Sequence, residues 1–372
     1  MLAQYKKRVG RWFSNKPWNE VATRDAFRHF ARGIGDPNPL WWREDYARKT
    51  RWGGPIASPC YLYTYARGGG LPVGLPGVQA LWCGDDWEWY APARVGDVIA
   101  AYTRFSDLVE KKSEHAGRTF DQTHETAFVS QRGEVVSKHL TLIKRFEKAT
   151  VRTEVREKRY QAHERHCYSP EELRKIDEGY ASEVIRGATP RYWEDVQVGD
   201  ELTPTLQGPL TVTEMVAWYS GAGAPLALSS HILWDYFRKH PGANIPDPET
   251  NVPDVPERIH WDETLARIFG APDIFDVGVQ RLSWLSRLVT TWMGDDGFLC
   301  QLDGQTRRLN LWGDTTWCKG RVIKKLVKDG QHRVVCEIWG ENQRGEVTAP
   351  GHATVALPSR ARGPVPLPPP PR

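Results

Sequence analysis

Apolar residues alternate with polar ones along six stretches of the chain, and each stretch predicts a half-buried β-strand. They are VIAAYTRF (98–105), AFVS (127–130) and VVSKHLTLI (135–143), then TTWCKGRVI (315–323), VVCEIWG (334–340) and TAPGHATVAL (348–357). A different period governs Gly278–Val289. There, Val279, Leu282, Leu285 and Val289 fall on one face of a 3.6-residue repeat, which predicts a long amphipathic helix. Asp276 stands where an N-cap for that helix is expected. Ser169-Pro170-Glu171-Glu172 has the form of a helix start, with a capping Ser, Pro at the first position and acids in the first turn, so a linking helix is expected over 168–186.

These elements repeat. Gln131-Arg132-Gly133-Glu134-Val135 recurs as Gln343-Arg344-Gly345-Glu346-Val347, each time as a hairpin turn between two strand-like runs. Gly96-Asp97 matches Gly313-Asp314 ahead of a strand, and Trp42, Ala47 and Arg48 match Trp261, Ala266 and Arg267. The three offsets, 212, 217 and 219, drift by only a few residues. Two copies of one domain with small loop changes explain that drift. The division expected is 1–150 for the first copy, 151–189 for a charged helical linker, 190–360 for the second copy and 361–372 for a Pro-rich tail expected to be disordered. A long helix wrapped by antiparallel strands, twice over, is an α+β fold.

Composition narrows the class. The chain has 372 residues with 40% hydrophobic and 26% charged positions, as soluble globular proteins do. No run approaches 18 apolar residues, so no membrane helix is expected, and MLAQYKKRVGRWF lacks the apolar segment of a secretory signal. Six scattered cysteines without a CxxC pair fit a reducing cytosol and give no metal framework. The net charge of +4 comes without a basic stripe, which argues against nucleic acid as a partner. His163-Glu164-Arg165-His166-Cys167 is too cramped for an ordinary zinc site, and Gly68-Gly69-Gly70 lacks the Lys-Ser/Thr of a phosphate loop. The aromatic cluster Trp82, Trp87, Trp89 and Tyr90 reads as packing, with stacking on a ligand as the alternative.

Gly35-Asp36-Pro37-Asn38-Pro39-Leu40 resembles the Gly-Asp-x-Asn-Pro-x-His signature of the MaoC-like (R)-specific enoyl-CoA hydratases and dehydratases. Tyr192–Leu202 resembles the entry to such a domain. The resemblance spans about 15–148 and 190–358 and implies a tandem hotdog: two curved antiparallel sheets, each wrapped round a long helix. In that family the signature Asp and His hold the water that adds to C3 of a trans-2-enoyl thioester. A backbone N–H at the start of the long helix holds the thioester oxygen.

Both copies depart from that pattern. The first keeps Asp36 and Asn38 but has Trp41 in the His position and Pro59, which has no N–H, at the helix start. The second has His260 and Gly278 in place, but Ala224 in the Asp position, followed by an insertion of some 35 residues suited to a lid or substrate wall. Three arrangements stay open: His260 with Asp254 or another acid of the insertion, His260 with Asp36 across the interface between halves, and no dyad at all. Gly278, with Asp276 as its cap, is the expected oxyanion donor. Arg281 and the pair Arg307-Arg308 are candidates for the phosphates of coenzyme A.

The resemblance implies a hydro-lyase adding water reversibly to an enoyl-CoA, with no cofactor, no metal, no membrane or nucleic-acid partner, and a cytoplasmic location. A homodimer of tandem chains is possible. A non-catalytic acyl-CoA-binding protein, or the silent subunit of a hydratase complex, is the alternative, and a hotdog thioesterase is a third option.

Overall fold

The computed structural model describes residues 7–66, 78–113, 117–147, 165–224 and 226–371. The first half contributes β1 (Trp12–Ser14), α1 (Arg24–Gly33), α2 (Glu44–Ala47), β2 (Val78–Trp89), β3 (Ile99–Ser113), β4 (Gly117–Ser130) and β5 (Val135–Glu147). The linking helix is α3 (Pro170–Ala181), closed at its start by the reciprocal Ser169–Glu172 capping box that the sequence announced. The second half then runs β6 (Glu201–Gln207), α4 (Val212–Ala222), α5 (Ser230–Lys239), the short hairpin β7 (Ile245–Pro246) and β8 (Pro253–Asp254), and α6 (Glu263–Phe269). It ends with α7 (Gly278–Met293), β9 (Phe298–Gln305), β10 (Thr316–Lys328), β11 (Gln331–Asn342) and β12 (Val347–Ala356).

The ten long strands form one antiparallel sheet in the order β1-β3-β4-β5-β2-β9-β12-β11-β10-β6. Read from its centre the order is palindromic, so each half is the same five-stranded unit and the two meet edge to edge through β2 and β9. At that seam Asp86 lies opposite Asp303, the same position of the two copies. Glycines let the strands approach: a Cβ on Gly84 would fall 2.4 Å from the Gly304 carbonyl oxygen, and one on Gly351 would fall 2.1 Å from that of Asp303.

The two halves differ in what their sheets enclose. Helix α7 is about 24 Å long, and nearly its whole circumference is buried, including the polar face. That face is satisfied by ion pairs: Arg287 reaches Glu183 and donates to the Leu206 carbonyl, and Arg281 reaches Asp276. In the first half the expected long helix is, among the described residues, a six-residue 3-10 turn, Pro59–Thr64. The tail also departs from expectation. Val365 is buried, Arg51 donates to its carbonyl, and Gln331 donates to that of Pro366, so the tail is strapped across both halves.

Helices α1 and α4, each capped by a threonine side chain, cross at glycines. A Cβ on Gly221 would meet the His29 carbonyl oxygen at 2.4 Å, and one on Gly33 would meet that of Ala217 at 2.8 Å. Phe30 and Trp218 pack edge to face beside this crossing. Alanine in place of an interior helical glycine ordinarily stabilises by about 1 kcal/mol. Gly221→Ala is expected to reverse that sign and lower stability by about 1–3 kcal/mol through overpacking. The control, Gly179→Ala in α3, meets only the end of the Leu206 side chain and should be close to neutral. Denaturant midpoints of the two variants check the contrast.

Candidate functional site

The same local path is built twice, and it fixes which residues correspond. A left-handed glycine, Gly35 or Gly223, ends the first helix of each half, so Asp36 and Ala224 are equivalent. A 3-10 turn follows in each, Pro39–Trp41 and Pro256–His260, and the next residue, Trp42 or Trp261, has nearly the same backbone angles. Trp41 is therefore the counterpart of His260. Isolated bridges Ile56–Arg94 and Phe275–Leu311 then lead into the Pro59–Thr64 turn of the first half and α7 of the second, whose first residues are Pro59 and Gly278.

In the second half, His260 Nδ1 lies 2.9 Å from the carbonyl oxygen of Phe275, and its ring packs edge to face on that of Phe275. A neutral imidazole in this bond donates from Nδ1, which puts the lone pair on Nε2. Phe275 precedes Gly278 by three residues, so the histidine stands at the N-terminal end of α7, where backbone N–H groups and the helix dipole favour developing negative charge. Val277, not Asp276, is the N-cap residue. Over this helix start sits a residue the sequence did not single out for a role there. The Trp82 ring covers Gly278 so closely that a Cβ would fall 2.2 Å from it.

Trp82 is held by a buried carboxylate. Its indole N–H donates to Asp85 Oδ1 at 3.2 Å, while Tyr63 donates to Oδ2 at 2.5 Å and itself accepts from the Trp87 indole at 3.0 Å. Burial lifts the Asp85 carboxyl to about 6, against the hydrogen bonds from Tyr63 and Trp82 that lower it.

The expected partners of His260 are placed elsewhere. Asp254 accepts its neighbour's N–H, from Val255, and faces Arg258 at 3.7 Å. Arg258 also donates to Asp247 at 2.7 Å and Asp262 at 2.8 Å, so it gathers three acids around one guanidinium. Asp36 is buried and accepts from the Trp41 indole at 2.8 Å and from the Asn38 N–H at 3.0 Å. Burial pushes its carboxyl above the usual range, and Arg287, the Asn38 amide and the Trp41 indole pull it back. Trp41 thus keeps the hydrogen bond a histidine would make there, without its proton chemistry. Neither Asp254 nor Asp36 is bonded to His260.

Two further assignments are corrected. Asp276 and Arg281 are both buried and form a two-pronged ion pair, with Asn310 donating to the same carboxylate. Arg281 also donates to the Arg308 and Thr348 carbonyls and is buried, so its guanidinium is not presented to a phosphate. Arg307 and Arg308 do lie on the surface, next to Thr306, whose hydroxyl donates to the Trp82 carbonyl. Among the described residues no group of three metal-ligating side chains exists, and His163, Glu164 and Gly68–Gly70 fall outside the described residues. Trp87 and Trp89 are buried and stacked, as packing predicts. No helix among the described residues is long and apolar enough to cross a membrane.

Comparison with known proteins places this geometry. Residues 7–139 match the family model described as the FAS1-like, dehydratase domain region. A solved MaoC-like dehydratase superposes with a TM-score of 0.65 at 17% identity, covering 95% of this chain and 98% of its own. A MaoC-like dehydratase from Phytophthora capsici gives 0.54 at 12%, covering 96% and 98%. A Mycobacterium tuberculosis protein with a double hotdog fold gives 0.57 at 9%, covering 94% and 96%. At these identities the likeness speaks to the fold, which is the double hotdog that the resemblance implied. No curated protein matches the chain in sequence.

Two outcomes follow from the carboxylates around the site. Asp276→Ala strands a buried guanidinium and should cost about 3–5 kcal/mol, whereas Asp276→Ala combined with Arg281→Met should cost markedly less; equilibrium unfolding distinguishes the two. For Asp85, the folded state favours the protonated acid, so its stabilising contribution is complete below about pH 4 and is lost as the pH rises through about 6. The loss is on the order of 3 kcal/mol. Asp85→Asn should remove that slope from a plot of stability against pH.

Proposed function

We propose that the protein is a hydro-lyase acting on an acyl thioester, with its chemistry in the second half. The observation that carries this reading is the anchoring of His260 by the Phe275 carbonyl at the N-terminal end of α7. In the proposed reaction His260 Nε2 takes a proton from water as the hydroxyl adds to C3 of a trans-2-enoyl thioester. The electron pair of the double bond moves to C2 and the carbonyl oxygen. The Gly278 N–H, with the helix dipole behind it, receives that oxygen in the place over Gly278 where the Trp82 ring now lies. The protonated imidazole then returns its proton to C2, so atoms and charge balance without a cofactor. Dehydration is the reverse. Arg307 and Arg308, exposed beside the Trp82 strand, would meet the phosphates of coenzyme A.

A specific observation also favours a second reading, acyl-thioester binding without turnover: Asp36 is bonded to Trp41 and Asn38, and Asp254 faces Arg258, so the family's Asp–His pair is not assembled. A panel of trans-2-enoyl-CoAs, followed for loss of the conjugated thioester and for release of thiol, separates the readings. Hydration without thiol is expected, and His260→Gln should reduce kcat by about 10²–10⁴-fold. Thiol release would mean thioester hydrolysis instead. A rise in melting temperature on adding the CoA ester, with no turnover on any substrate, would establish the binding protein.

A further inference from the structure

The first half has lost the acid–base pair but keeps a cavity. A cleft of about 550 Å³, counting its open mouth, lies between the Pro39–Trp41 turn, the start of the Pro59–Thr64 turn and the end of α7. Three indoles, of Trp41, Trp52 and Trp89, supply flat apolar wall, together with Met293. The wall is braced from behind. The Trp52 N–H donates to the Asp295 carbonyl at 2.8 Å, and Arg51, which ties down the tail, stacks over the Trp52 ring at 4.6 Å.

The polar groups in this wall are almost all committed. Asn38 donates to Asp295 at 3.3 Å and accepts from the Leu40 N–H at 3.0 Å. Tyr46 donates to the other oxygen of Asp295 at 2.6 Å, and Thr290 donates to the Arg287 carbonyl. Ser58 is the exception: its hydroxyl is 2% exposed and has no hydrogen-bond partner. A buried hydroxyl left without a partner costs about 1–3 kcal/mol, which a ligand hydroxyl would recover. The nearby Asp295 carboxylate, itself only 3% exposed, disfavours a ligand that brings a second negative charge.

We propose that this cavity is a binding site of its own for a neutral, ring-bearing alcohol or phenol. The ring lies against the indoles and the ligand hydroxyl bonds to Ser58. The site is separate from that of His260. Thr290 in its wall is twelve residues along α7 from Gly278, about 18 Å of helix rise. The proposal stands whether or not the second half is a hydro-lyase.

Titration calorimetry with 2-naphthol and with 2-naphthoate as probes tests it on the full chain. One equivalent of 2-naphthol should bind, and 2-naphthoate should bind at least tenfold more weakly. Ser58→Ala should weaken 2-naphthol about fivefold, the worth of one hydrogen bond. Ala93→Leu, which places extra bulk at another position of the wall, should abolish binding, and His260→Gln should leave it unchanged. Circular dichroism of each variant reports whether it is folded. Absence of 2-naphthol binding to the wild type, equal binding of 2-naphthoate, or loss of binding in His260→Gln with none in folded Ser58→Ala would overturn the proposal.

Discussion

The antiparallel seam between β2 and β9 is the contact on which the molecule depends. Five register pairs join two five-stranded units into one sheet there. Backbone hydrogen bonds do most of this, because the side chains at the centre of the seam, Asp86 and Asp303, are like charges in opposite strands, an arrangement that disfavours pairing. What permits the seam is a small residue: Gly84 stands where a Cβ would strike the Gly304 carbonyl oxygen. Once the seam is closed, α7 is enclosed by both halves, and the crossing of α1 and α4 at Gly33 and Gly221 fixes the two turns that carry Trp41 and His260.

The pseudo-twofold arrangement makes the divergence of the halves readable. Each kept what the other gave up. Asp36 stands opposite Ala224 in the correspondence, Trp41 opposite His260 and Pro59 opposite Gly278. The exchange has physical consequences beyond the loss of catalytic groups. The Trp41 indole bonds the buried Asp36 and so braces the turn. Proline at position 59 has no N–H to offer an oxyanion. The first half has a cleft against the end of α7. Division of labour between chemistry in one half and recognition in the other is the account these differences support.

Much of this was legible in the chain itself, for reasons that can be named. The repeat and the strands came through because alternation and turn chemistry are local. His260 and Gly278 came from the resemblance to the family signature, and the doubled backbone path sets them opposite Trp41 and Pro59. Other features had a signal that was not weighed. Asp254, Arg258 and Asp262 are spaced by four, which predicts ion pairs along one helical face and not a partner for His260. Asp276 and Arg281 looked like site residues because they flank the helix start, yet an acid and a guanidinium five residues apart can equally bury each other, and here they do. Trp82 over Gly278, and Asp295 between Asn38 and Tyr46, had no local signal. They are products of strand register and of contact between halves, which no single segment specifies.

The central claim is that one imidazole at the start of α7 serves as both acceptor and donor of the transferred proton. The pH dependence of kcat/KM for hydration of a trans-2-enoyl-CoA addresses it most directly. A single group that must be unprotonated gives a profile that rises with unit slope on the acid side and then levels, and the account predicts that form. A bell governed by two ionisations would require a separate acid and contradict it, as would the absence of hydration at every pH.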